Sequence, residues 1–107
     1  MNVRLSQIIG KPVFDISSST KHHMKTKICD LDVDQAFATV DLTSVIKQYT
    51  KWTENLPMVK PHYAVKCNPD EAILRLLSAL GCNFDCATQG EIDLVLNKLG
   101  EFCAAPN

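Results

Sequence analysis

The chain has 107 residues, 46% of them hydrophobic, and a formal net charge of −1. That suffices for one globular domain at most, and a near-neutral balance without a basic stripe excludes electrostatic capture of nucleic acid or an anionic membrane. The opening "MNVRLSQIIGKPVFD" lacks the apolar core of a signal peptide, and no run reaches membrane-spanning length, so the expected location is cytoplasmic.

Residues 1–36 are polar and without period: "SSSTKHHMKTK", then "CDLDVDQ". They read as a flexible lead-in with a short turn near Ile8 and Ile9, and His22 and His23, set among lysines, read as solvated tether rather than metal ligands. The five cysteines (Cys29, Cys67, Cys82, Cys86, Cys103) are odd in number and form no CxxC pair. They are expected as reduced thiols, mostly buried as small apolar groups. Cys82 and Cys86 make half a metal site at most, with no second ligand pair following, so no metal is expected.

Order is expected over residues 37–107. "FATVDL" (37–42) is a β-rich run between polar residues. Val45, Ile46, Tyr49, Trp52 and Leu56 then fall on one helix face, which Asn55 and Pro57 terminate because a residue before proline is pushed out of the α region. A strand is expected over residues 60–67, overlapping "PHYAVKCN" (61–68). Asn68 as N-cap and Pro69 as first helical residue then open a helix with the stripe Ile73, Leu76, Leu77, Leu80 and a stop at Gly81. "NFDCA" (83–87) is a second strand. Thr88 to Glu91 fits a capping box, Ile92, Val95, Leu96 and Leu99 form the next stripe, and Gly100 is its stop.

The two stripes and stops superpose at a constant offset of 19 residues, as Gly100 minus Gly81 shows. Tandem strand–helix units imply parallel strands with crossover helices, in an α/β barrel or an open doubly wound sheet. The same offset carries Lys66 onto Asp85, near the carboxyl ends of consecutive strands. Alternation puts His62, Ala64 and Lys66 on one face and Tyr63, Val65 and Cys67 on the other; Asn83, Asp85 and Ala87 oppose Phe84 and Cys86. The bulky apolar set must meet the helices, leaving Lys66 and Asp85 toward the barrel interior or the sheet's ligand edge. Position alone leaves two readings open. One is a structural ion pair; the other is a lysine prepared for covalent chemistry, with small Ala64 leaving room beside it for a flat ligand.

"YAVKCN", followed by "FDCAT" and the glutamate of "GEI", resembles the amino-terminal part of the eukaryotic-type ornithine decarboxylases, a pyridoxal-phosphate family with an alanine-racemase-like barrel. The likeness runs from about residue 37 to residue 100. It implies a fold that is part of a PLP-binding (β/α) TIM-type barrel, cut after about two βα repeats and led by a strand and a helix. By the same resemblance Lys66 holds pyridoxal 5'-phosphate as an internal aldimine and later moves a proton, Ala64 lines the cofactor, and Asp85 and Glu91 orient the lysine amine. For Glu91 the capping box is an equally good account.

The implied reaction is L-ornithine to putrescine and CO2, in a homodimer with shared active sites, with antizyme as a family partner. Non-catalytic relatives of the antizyme-inhibitor type, and arginine, lysine or diaminopimelate decarboxylases, are the alternatives. Asp85 argues against the first, and Cys67 and "FDCA" favour the ornithine branch. A complete barrel takes about 250 residues. The family's glycine-rich phosphate loop, its acid for the pyridine nitrogen and its late cysteine have no counterpart in the chain, and "EFCAAPN" departs from the third strand the family would have. The expectation is an amino-terminal fragment, inactive by itself.

Overall fold

A computed structural model describes residue 8, residues 19–30 and residues 36–103. Within the lead-in, where a tether is expected, residues Thr20–Asp30 form a helix, α1. Ser19 opens it, accepting the His22 N–H on its hydroxyl at 3.3 Å and the His23 N–H on its carbonyl at 3.1 Å. No α1 residue is buried, and its two large apolar side chains, Met24 and Ile28, are exposed. Of the expected turn at Ile8 and Ile9, only Ile8 lies among the described residues, and it is helical.

The expected strand at 37–42 does not form: residues 36–41 pair with no other strand among the described residues, and β propensity without a ladder partner leaves the backbone's polar groups to water. Its last polar residue does something else. Asp41 N-caps helix α2 (Leu42–Asn55), accepting the Thr43 N–H at 3.0 Å. The helix ends where the proline rule places it, at Leu56, whose φ of −131° and ψ of 61° lie outside the α region. The Trp52 indole N–H then donates to the Val59 carbonyl at 2.7 Å and holds the loop back against α2.

Strand β1 is His62–Ala64, shorter than the expected 60–67, because Val65–Cys67 curl into a 3-10 turn. Helix α3 runs Glu71–Ala79, and its N-cap is Asp70 rather than Asn68. Asp70 accepts the Ala72 N–H at 2.9 Å, while Asn68 stands one step back and accepts the Asp70 N–H at 3.1 Å. The helix stops as expected at Gly81, at φ +91°. There the Gly81 N–H donates to the Ser78 carbonyl at 3.0 Å and the Cys82 N–H to the Leu77 carbonyl at 2.9 Å, a paired C-cap that needs a left-handed residue.

Strand β2 is Asn83–Asp85, parallel to β1 with His62 opposite Asn83, Tyr63 opposite Phe84 and Ala64 opposite Asp85. The described sheet has these two strands, joined by crossover helix α3. Helix α4 spans Gln89–Cys103 and passes through Gly100, so the second expected stop is not one: glycine is tolerated inside a helix at a modest cost and ends it only where a left-handed turn follows.

Helix α3 packs between α2 and α4. On one side Val65, Leu74 and Leu99 are fully buried, with Tyr63, Phe84, Cys86, Leu94 and Val95 against them; on the other, Ile73, Leu77 and Cys82 meet Val45 and Tyr49. A helix with two neighbours needs a wide apolar arc, which is why Leu74 is buried although the expected stripe omits it. In α4 the packed seam is rotated toward Leu94. Leu99 is buried, but Ile92 is 40% and Leu96 65% exposed, against expectation. No helix among the described residues is long and apolar enough to cross a membrane.

Candidate active site

The strand faces divide as alternation dictates. Tyr63, Val65, Phe84 and Cys86 turn toward the helices and the core, while His62 and Asp85 are exposed and Ala64 and Asn83 half-buried on the other side. Cys67 is the exception: the 3-10 turn breaks the alternation after Val65 and leaves it exposed. At the near end of the bare face, the Asn83 side-chain nitrogen lies 3.2 Å from His62 Nε2, and His62 Nδ1 lies 3.2 Å from the Lys60 carbonyl. Those two contacts make the ring a donor through Nδ1 and an acceptor through Nε2.

Lys66 lies just beyond the carboxyl end of β1, on the turn, and is exposed. It makes no hydrogen bond or ion pair with a described residue, Asp85 included. The strand register explains part of that distance from expectation. Asp85 stands opposite Ala64, an offset of 21 by subtraction, not opposite Lys66 as the helix offset of 19 implies. Unequal loops put the strands and helices out of step: six residues separate β1 from α3 and three separate β2 from α4, so the strands start 21 residues apart and the helices 18.

The backbone under Lys66 is nonetheless held. Val65, one residue before it, is fully buried against Leu74 and Leu99. Two residues after it, the Asn68 carbonyl accepts the Tyr63 hydroxyl at 3.1 Å. The sequence pattern places Tyr63 only in the apolar set and leaves out its bond to Asn68. The available signal was that a half-buried tyrosine must satisfy its hydroxyl. Burial pushes the Tyr63 phenol up, with the nearby Cys67 thiol adding to the effect.

Glu91 acts as a cap. Thr88 accepts the Glu91 N–H at 3.2 Å, and the Glu91 carboxylate accepts the Ala87 N–H at 2.5 Å, one residue upstream of the usual capping-box partner. The Cys86 thiol is pushed up first by burial and then by the charges of Glu91 and Asp85. Cys82 is separate, buried with its thiol directed to the Asn83 and Pro61 carbonyls at 3.2 and 3.5 Å. The described residues contain no group of three or more His, Cys, Asp or Glu arranged to hold a metal.

Residues 42–102 match the family model described as pyridoxal-dependent decarboxylase, pyridoxal binding domain. The chain belongs to this family. Among curated proteins, a probable ornithine decarboxylase of Dictyostelium discoideum is 48% identical over 84 residues, covering 78% of this chain and 18% of that protein. The ornithine decarboxylase of Caenorhabditis elegans is 49% identical over 63 residues, 59% of this chain and 15% of the relative. Decarboxylase flvG of Aspergillus flavus is 46% identical over 67 residues, 63% of this chain and 16% of the relative. The chain thus spans less than a fifth of these relatives' length. No solved structure matches significantly. The mixed helix–strand arrangement is that of a pyridoxal-binding domain segment, and pyridoxal phosphate is the cofactor that membership indicates.

The side chains present fit that group. A primary amine with no partner among the described residues stands on a turn fixed from both sides, next to a face on which Ala64 is small and Asp85 is an exposed carboxylate. An aldehyde needs such an accessible amine.

Proposed function

We propose that this chain is the amino-terminal part of a pyridoxal-phosphate-dependent ornithine decarboxylase with a barrel fold, and that Lys66 is the residue that carries the cofactor. The observation behind this reading is that Lys66 and Asp85 stand at the carboxyl ends of two neighbouring parallel strands within a pyridoxal-binding domain segment. In α/β folds that end of the sheet is where ligands bind. Relatives named ornithine decarboxylase support the substrate, L-ornithine, and the products, putrescine and CO2.

When bound, pyridoxal phosphate supplies an electron-accepting ring that makes loss of a carboxylate feasible. The residues of this chain do the rest of their share by placement. Lys66 holds the cofactor aldehyde and delivers a proton to the substrate α-carbon once the carboxylate has left as CO2, so that one proton is consumed for each CO2 released. Asp85, which the free amine does not contact here, would orient it across the ends of the two strands once the substrate has displaced it. Ala64 leaves space for the ring. Glu91 holds the loop after β2, its carboxylate engaged by the Ala87 N–H.

The flvG relative, named only as a decarboxylase, favours a second reading in which the same segment serves another amino-acid substrate. Homodimerisation, a cytoplasmic location and antizyme binding belong to the ornithine reading. The test combines trapping and turnover. The chain is incubated with pyridoxal phosphate, reduced with borohydride and mapped by peptide mass, and label should concentrate on Lys66 and vanish in Lys66→Ala. The chain alone should release no putrescine from ornithine, since the face carrying Lys66 and Asp85 is open. Label spread evenly over the lysines would refute the cofactor assignment, and putrescine from the chain alone would refute the expected inactivity.

A further inference from the structure

We propose that the Tyr63 hydroxyl is a strut that positions Lys66, acting through the Asn68 carbonyl; its bearing on the cofactor rests on the reading above. Tyr63 lies on β1 with its ring against both halves of the core, yet its hydroxyl leaves the core and donates to Asn68 at 3.1 Å. That bond spans the turn on which Lys66 sits. On the upstream side Val65 is fully buried; on the downstream side Asn68 is held twice, by Tyr63 at its carbonyl and by the Asp70 N–H at its side chain. Asp70 in turn caps α3. The backbone of Lys66 is therefore strung between a core anchor and a helix N-terminus, and the phenol is the brace between β1 and the second of these. Without it, residues 66–69 would hang between Val65 and Asp70 alone. Such a brace matters for a lysine whose side chain has no partner among the described residues, because its backbone then sets where the amine can reach.

The experiment uses the full 107-residue chain and Tyr63→Phe, which removes the hydroxyl and keeps the ring. Native-state hydrogen exchange is followed by NMR at the turn amides between residues 66 and 70 (Lys66, Cys67, Asn68 and Asp70, Pro69 having none) and at those of core residues Leu76 and Leu77. Phe84→Leu serves as a core-only control. The expected result is exchange about fivefold faster at residues 66–70 in Tyr63→Phe, the loss of one neutral hydrogen bond, with Leu76 and Leu77 unchanged. Phe84→Leu should instead accelerate the core amides without singling out the turn.

In the labelling arm, the ratio of pyridoxal phosphate fixed on Lys66 to that on Lys60 should fall several-fold in Tyr63→Phe. Unchanged exchange at 66–70, acceleration shared with Leu76 and Leu77, or loss of folding would each overturn the strut. So would an unchanged labelling ratio where the parent chain prefers Lys66. A parent chain with no preference for Lys66 over Lys60 would instead overturn the cofactor reading, and the exchange contrast would still decide the strut.

Discussion

Leu74 and Leu96 separate the packing of this molecule from the packing its sequence pattern suggests. Both are leucines inside helices, so changing either to alanine has nearly the same, slightly favourable effect on helix propensity. Leu74 is fully buried between Val65 and Leu99, whereas Leu96 is 65% exposed. Leu74→Ala removes three carbons from a closed site. At about 0.8 kcal/mol per carbon the transfer loss is about 2.4 kcal/mol, and the cavity left behind raises the total to roughly 3 kcal/mol. Leu96→Ala gives up contacts already shared with water and should cost less than about 0.5 kcal/mol. For a body this small the urea m-value is about 1 kcal/mol/M, so the midpoint should drop by about 3 M in the first variant and by under about 0.5 M in the second. Urea titration followed by far-UV circular dichroism reads both. Equal losses in the two variants, or a neutral Leu74→Ala, would refute the assignment of α3 as the helix packed on both sides.

Three further outcomes follow from local geometry. Gly81→Ala should destabilise by about 1 kcal/mol, read by thermal melting; the added Cβ would meet the Tyr49 hydroxyl at an ordinary 3.5 Å, so the cost is that of the left-handed backbone at φ +91°. Asp70→Ala should cost about 1 kcal/mol, because two N–H groups at the start of α3 lose their acceptor, and Asp70→Asn should recover most of it. Among the thiols, exposed Cys67 should react with a disulfide reagent in the native state, and buried Cys82 only on unfolding. Burial raises the pKa of the Cys82 thiol from its ordinary 9.0, so the unfolded chain ionises first. This contribution to stability is fully present below about pH 9 and is lost as pH rises through the folded value. Denaturation midpoints at pH 8 and pH 10 should show that fall, and it should shrink in Cys82→Ala.

Much of the architecture was legible because it depends on local rules. Period and proline together located α2 and its end, and Gly81 read correctly as a stop because a paired C-cap requires a left-handed residue at that place. Gly100 carries the same residue type without that turn, and the helix runs on. The failures are tertiary. "FATVDL" has strand composition but no ladder partner among the described residues, and composition cannot supply one. Which leucines are buried depends on how many helices flank each helix, a fact absent from any single stripe. The site suffered from the same limit. The offset of 19 measures helix against helix, whereas the strand register is set by hydrogen bonds, and loops of unequal length separate the two measures.

In the proposed reading that inequality shapes the site. A long loop after β1 gives room for a 3-10 turn, and the turn carries Lys66 past the end of the sheet instead of leaving it in the plane of Asp85's register partner, Ala64. A short loop after β2, drawn tight by Glu91 and Thr88, keeps Asp85 next to the start of α4. The amine is thus projected outward on a braced turn and the carboxylate is held back at the strand. A ligand that bridges amine and carboxylate must lie across the end of the two strands, over Ala64, the smallest side chain that the strands themselves place on that face. Enlarging that residue tests the geometry. Ala64→Leu should leave folding intact, because Ala64 faces away from the helices, and should abolish preferential pyridoxal phosphate labelling of Lys66. Retention of that preference would mean that the ring does not cross the strand end at all.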